Sequence, residues 1–267
     1  MITSVSKIMK ILNQLAPFET AEPWDNVGLI IGNESRQTSR ILLALDLSDA
    51  VIEEAITEGI DLIITHHPAI FKAVKRVNSN DAVGRRIIKC IENGINVIAA
   101  HTNLDKSLHS GINRAIGNAL DLIEMTALVP ESEGVGFGVV GKLPEPIKLS
   151  AFIHMTKMAF DIETIKMTLY DEEAIVTTIA ISSGASADFI QNALDAKVDV
   201  FITGDVKYHE AQQVENHKMI LMDVGHYESE VIYLETLKQL LDDHIMTQGY
   251  DVMTMVSECE KPVFYHV

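Results

Sequence analysis

Cysteine is almost missing from this chain, with only Cys90 and Cys259 in 267 residues. Lying 169 positions apart, the two make no disulfide framework. Cys90 falls in a helical apolar pattern with Val83, Ile87, Ile88 and Ile91, the ordinary place of a buried thiol. Basic residues are scarce as well: 21 Lys and Arg stand against 38 Asp and Glu, for a net charge of -17. Tight binding to a phosphate backbone needs clustered cations that release counterions, so nucleic acid is not an expected partner. No run of about 18 uncharged apolar residues occurs, and the N-terminus has no basic region leading into an apolar core. Neither a membrane span nor a signal peptide is indicated, and a cytoplasmic protein is expected. A P-loop motif is lacking too.

Apolar residues, at 47%, are abundant enough for a real core. Val5, Ile8, Met9, Leu12 and Leu15 recur at helical spacing, and Pro17 ends that helix. Pro23-Trp-Asp-Asn-Val-Gly-Leu-Ile-Ile-Gly32 reads as a loop feeding a short strand, or as a functional loop. From Ile41 onward strands and helices alternate: strand 41–45, helix 50–58, strand 60–65, helix 81–92, strand 95–100, helix 111–120. Such alternation means βαβ crossovers and a mainly parallel sheet. The rhythm breaks over 126–142 at a Gly-rich stretch, read as a turn leading into a strand, with no helix placed to make a phosphate loop. A second set follows: helix 149–159, strands 164–169 and 175–182, helix 187–196, strand 198–203, helix 206–216 and strand 219–222. A long amphipathic helix and a final strand, 252–256, close the chain.

Shifting the chain by 138 positions lays Val51–Thr65 over Phe189–Thr203 without gaps, matching Ile52, Ala55, Asp61, Ile64 and Thr65 to Ile190, Ala193, Asp199, Ile202 and Thr203. The expected fold is therefore α/β: two related α/β domains with mainly parallel sheets, the second inserted in the first. Residues 1–126 plus 223–267 form a metal-binding domain, and 127–222 the inserted one.

Ligands of such sheets gather at the carboxyl ends of the strands. There the apolar run Leu62-Ile-Ile delivers His66, His67 and Pro68. Adjacent strand residues point opposite ways, so the two histidines suit two ions side by side better than one. His226 and Glu230, four apart, share one helix face, although Glu230 also suits a helix N-terminus. Asp105 is a natural third ligand or a cap for the helix near Ser110. His101 is open between a supporting contact, a substrate contact and a core histidine. Asp205 and His209, in Thr203-Gly-Asp-Val-Lys-Tyr-His209, are either a helix cap with exposed polar residues or substrate contacts. Imidazole and carboxylate without thiolate suit Zn, Mn, Fe, Co or Ni, and carboxylate bridging suits two ions about 3.5–4 Å apart. Two ions with open positions would supply hydroxide near neutral pH, which makes hydrolysis the reaction class that follows.

Five stretches in order carry a resemblance: Pro23-Trp-Asp-Asn-Val-Gly-Leu, Ile64-Thr-His-His-Pro, Ala100-His-Thr-Asn-Leu-Asp, Thr203-Gly-Asp-Val-Lys-Tyr-His and Gly225-His-Tyr-Glu-Ser-Glu. Together they resemble the GTP cyclohydrolase I type 2 homologue family, also called NIF-three-like proteins, over nearly the whole chain. The resemblance implies a ring-shaped homohexamer with metal sites facing an internal cavity. It implies one ion on His67, Asp105 and Glu230, and another on His66 and His226 with Glu230 bridging. It implies a metal-dependent hydrolase whose metal-bound hydroxide attacks a small molecule, such as a nucleotide. The alternative is a ring protein that binds metal or a partner without catalysis. Lys72, Lys75, Arg76, Arg85 and Arg86 are read as exposed helix charges, or as a phosphate contact.

Overall fold

The computed structural model describes residues 3–168 and 171–264. Two compact units divide the chain: Met1–Leu104 with Leu234–Lys261, and Asp105–Tyr233 with Pro262–Val267. Among the described residues no helix is long and apolar enough to cross a membrane.

The first unit is built on a five-stranded sheet in the order Met253–Val256, Arg40–Ala44, Leu62–Thr65, Asn96–Ala99, Gly28–Ile31. All neighbours pair in parallel except the last, which is antiparallel. Apart from Arg40, the central strands are buried along their whole length, as their apolar runs require when both faces are covered. Leu42, Ile63 and Val97 pack with Ile52 and Ala55 of the Asp49–Thr57 helix and with Ile87 and Cys90 of the Ala82–Glu92 helix. Ser48 caps the first of these helices by accepting from Val51 N, and Asp81 caps the second by accepting from Gly84 N. Burial raises the Cys90 thiol to about 11, which keeps it protonated and inert.

The second unit holds a six-stranded mixed sheet, ordered Ile123–Ser132, Val135–Lys148, Ile175–Ile181, Val200–Thr203, Ile220–Asp223, Lys166–Met167. Its three-strand core is parallel, while the leading hairpin and the Lys166–Met167 edge are antiparallel. The Gly-rich stretch expected to be a turn into one strand is the second arm of this hairpin. Its first arm, Ile123–Ser132, is mostly exposed and so lacks the apolar alternation that betrays a strand. The helix expected over 206–216 is one α-helical turn, Tyr208–Ala211, followed by the 3-10 turn Gln212–Val214. Only Val214 of these residues is buried, too narrow an apolar face for a longer helix. Of the strand expected over 164–169, Lys166–Met167 is extended, and Leu169 lies outside the described residues.

The 138-residue repeat is geometric as well as textual. In the first copy Ile41 faces Leu62, and in the second Ile179 faces Val200, an identical register at the same offset. Asp61 Oδ2 accepts from Ser39 N at 2.7 Å and Arg40 N at 3.1 Å. Asp199 Oδ2 accepts from the equivalent Thr177 N and Thr178 N, both at 2.8 Å. Each carboxylate thus anchors the start of the neighbouring parallel strand. Both helices also end on a left-handed residue at the same offset, Gly59 (φ 64°) and Lys197 (φ 56°).

Candidate metal centre

In the first unit the sheet's strands end together in polar residues. The Leu62–Thr65 strand is followed by His66 and His67, the Arg40–Ala44 strand by Leu45 and Asp46, and the Asn96–Ala99 strand by Ala100 and His101. His66 is buried, whereas His67 and His101 are partly exposed. Consecutive amides, His66 N and His67 N, bond to the consecutive carbonyls Ala44 O (3.1 Å) and Leu45 O (2.8 Å). In a regular ladder only alternate amides face one neighbour, so strand alternation stops at Thr65. The two rings therefore do not point to opposite faces as expected. Their centroids lie 5.0 Å apart with 52° between planes.

Each ring is oriented through Nδ1. His66 Nδ1 lies 3.1 Å from Ala100 O, a carbonyl that can only accept, so this nitrogen carries the proton. His67 Nδ1 meets Asp46 Oδ1 at 3.2 Å, and His101 Nδ1 meets Asp25 Oδ1 at 3.0 Å. With Nδ1 donating, Nε2 becomes the lone-pair nitrogen, the arrangement that orients metal-ligating imidazoles. One ring nitrogen from each of His66, His67 and His101 lies within 4.8 Å of those of the other two.

Asp25, from the Pro23–Asn26 loop, is the firmest of these supports. Its side chain is wholly buried and also accepts from Thr102 N (3.1 Å) and Thr102 Oγ1 (2.6 Å). Burial pushes its carboxyl up, but the bonds from His101 and Thr102 together outweigh that and hold it well below the usual carboxylate range. Asp46 is backed in turn by Glu260, whose two oxygens accept from Leu45 N (2.8 Å) and Asp46 N (2.7 Å). Trp24 is 58% exposed and packs against Phe71 and, edge-on, against His101. The segment after Pro68 is not helical: Lys72, Lys75 and Arg76 lie on an exposed loop, while Arg85 and Arg86 sit on the Ala82–Glu92 helix and pair with Asp49.

The second unit places His226 and Glu230 on the short His226–Val231 helix. His226 Nδ1 is 2.8 Å from Asp205 Oδ2, so this ring follows the same pattern as the other three. Its Nε2 lies 3.3 Å from Glu230 Oε2, and Glu230 is 3% exposed. A lone-pair nitrogen and a carboxylate oxygen at this separation repel unless a proton or a cation lies between them. Gly184 makes room for the pair: it has φ 62°, and a Cβ there would collide with Glu230 Oε1 and come within 3.4 Å of His226 Nε2. The Gly184 amide donates to Ser229 Oγ at 2.9 Å, tying the loop to the same helix.

Asp105 lies on the Thr102–Lys106 helical turn, and its backbone carbonyl accepts from Asn113 Nδ2 at 3.1 Å. It does not cap the next helix, Ile112–Ala119, which begins at Gly111 without a side-chain cap. Burial, with the Asp105 charge second, pushes the Tyr233 hydroxyl far above its ordinary range, and that hydroxyl donates to Ser110 O. His209 is on the surface, its Nδ1 2.8 Å from Gln212 Oε1 and its ring against Tyr208.

Sequence reasoning singled out the histidines, Asp105, Glu230 and Asp205, and marked the loop that carries Asp25 without giving Asp25 a role; it did not find Asp46, Gly184 or Glu260. Asp46 had a readable signal, as the first polar residue after a buried strand. Gly184 had none, because its role is the absence of a side chain.

Imidazoles with carboxylates on wet strand tips of a two-unit α/β chain can hold a metal ion. The family model for DUF34/NIF3 (NGG1p interacting factor 3) matches residues 3–262, and the chain belongs to this family. A Clostridium acetobutylicum GTP cyclohydrolase 1 type 2 homolog is 32% identical over 261 residues, covering 97% of both chains. Among solved structures, a Staphylococcus aureus hypothetical protein superposes with TM-score 0.91 at 28% identity, covering 99% of each chain. A Bacillus cereus protein related to NIF3 superposes with TM-score 0.93, covering 100% of this chain and 99% of that one. At 22% identity the latter likeness concerns the fold.

Proposed function

We propose that this protein is a cytoplasmic, homohexameric, dinuclear metal-dependent hydrolase acting on a small molecule. His67, Asp105 and Glu230 hold one ion; His66 and His226 hold the other, with Glu230 bridging. Zn, Mn, Fe, Co and Ni all suit this donor set. The observation that carries the reading is the common orientation of the imidazoles: His66, His67 and His226 each direct Nδ1 to an acceptor, which leaves Nε2 as the donor to a metal. When bound, two such ions supply Lewis acidity and bring the pKa of water toward neutrality. The chain's own part is to hold the rings through Ala100 O, Asp46 and Asp205, and to place the buried Glu230 carboxylate beside His226.

The test is elemental analysis of the purified protein joined to a turnover screen over nucleotides and cyclic amides. His66→Ala and Glu230→Ala should each lose metal and turnover together. Turnover by the metal-free protein would rule the reading out. Light scattering on the same preparation checks the hexamer, for which a monomer mass is the contrary result.

A further inference from the structure

Trp24 is the chain's only tryptophan, and it stands 58% exposed. Its neighbour does not let it retreat: the Asp25 side chain is wholly buried, and the Asp25 amide donates to Glu22 O at 2.9 Å. The indole is therefore held out beside the strand tips, edge-on to His101 with centroids 6.2 Å apart. Phe71 meets it from a second loop, with centroids 5.8 Å apart and 60° between planes. That loop leaves from a fixed base, because Ala69 and Ile70 pack on the core of the first sheet and Asn26 Nδ2 donates to Ile70 O at 2.6 Å. Phe71 is 54% exposed, and Val74 and Val77 further along are exposed as well. A single exposed apolar residue is ordinary, but two anchored rings in contact, with apolar neighbours on one loop, form a patch.

The same loop carries charge of the scarcer sign. Lys72, Lys75 and Arg76 are all exposed, three cations within five positions of a chain whose net charge is -17. Among the described residues none of the three has an ion-pair partner, whereas Arg85 and Arg86 on the following helix share Asp49. Lys75 and Arg76 line one recess with Val74, Val83 and Asp81, and the Asp81 carboxylate there is taken up by Gly84 N. Aromatic faces supply stacking for any flat ring, and cations supply recognition of phosphate. Apolar contact alone does not need the cations, and solvation alone does not need the rings.

We propose that the Trp24–Phe71 pair and the loop cations Lys72, Lys75 and Arg76 bind the substrate of this protein, a planar heteroaromatic ring that bears a phosphate, as nucleoside phosphates do. The ring stacks on Trp24 with Phe71 against its edge, and the phosphate lies among the three cations. The inference deepens the hydrolase reading, on which it rests for turnover, by naming the substrate class. Binding at this patch requires no metal ion.

Because Trp24 is the only indole, its fluorescence, excited beyond the absorption of adenine, reports on this patch alone. The full-length chain is titrated with AMP, adenosine and ribose 5-phosphate, before and after treatment with a chelator. AMP should quench saturably, adenosine should need at least about 10-fold more, and ribose 5-phosphate should leave the emission unchanged. Lys72→Gln/Lys75→Gln/Arg76→Gln should bring AMP down to the affinity of adenosine, and Phe71→Ala should weaken both about 10-fold. Should Phe71→Ala lower the melting temperature, Phe71→Leu keeps apolar bulk without an aromatic face, and the same loss is expected. No saturable quenching by AMP, or AMP binding no tighter than adenosine, overturns the proposal. So does an unchanged AMP affinity in the triple variant. A preference for AMP that vanishes with the chelator overturns it as well, because the phosphate is then read by a metal ion. Metal-dependent turnover of nucleotides without AMP quenching would sink this inference and leave the hydrolase reading standing; quenching together with turnover by the metal-free protein would do the reverse.

Discussion

The two copies of the repeat share a scaffold and differ at its tips. Around Asp61 and Asp199 the backbone pairing, the carboxylate anchors and the left-handed helix ends coincide residue for residue at the 138-position offset. Beyond Thr65 and Thr203 the copies part. The first continues with His66-His67 beside Asp46; the second continues with Gly204-Asp205 beside Gly184. Acid and base have changed places. In the first copy the neighbouring strand carries the acceptor, Asp46, and the central tip carries the imidazole. In the second the central tip carries the acceptor, Asp205, and the imidazole comes from a following helix through His226. Strand cores are held by burial and register, which tolerate little change, whereas residues past the last ladder bond are free to diverge.

The sharpest break of this comparison should come from its anchors. Asp61→Ala and Asp199→Ala each remove a carboxylate that accepts two backbone amides, and each should cost about 2–3 kcal/mol by urea unfolding. A difference above about 1 kcal/mol between them would show that the shared geometry does not carry shared energetics. Next come the acceptors. Asp46→Asn and Asp205→Asn should each lower metal affinity about 10–100-fold in chelator competition with little change in melting temperature, because both sit at exposed tips. An unchanged affinity for either would mean that its histidine does not act as a ligand. The smallest effect concerns the helix ends. Lys197→Gly should stabilise by about 0.5–1 kcal/mol by relieving a left-handed side chain, and Gly59→Lys should destabilise by about 1 kcal/mol. An ideal Cβ at Gly59 meets nothing within 4 Å, so backbone conformation is all that this pair compares.

Much of the first unit was legible because its signals are local. The apolar runs before His66 and His101 mark buried parallel strands, and Asp81 marks a helix start. The four-residue spacing of His226 and Glu230 marks one helix face, and the structure brings Nε2 and Oε2 to 3.3 Å. The hairpin arm Ile123–Ser132 was not legible, since a strand with Leu128 as its one buried residue has no alternation to read. Nor was the turn of His67 away from strand alternation, which depends on amide bonds to the neighbouring Ala44 and Leu45 carbonyls.

By itself the sequence determined the α/β alternation, the repeat, and which tips carry imidazole and carboxylate, since each follows from periodicity or spacing along the chain. Only the tertiary structure decided how those imidazoles are aimed. Asp25 reaches His101 across 76 positions, Asp46 reaches His67 across 21, and Asp205 reaches His226 across 21. A carboxylate fixes a tautomer by proximity, and proximity between such distant residues exists only once the strands have paired and their ends have come together.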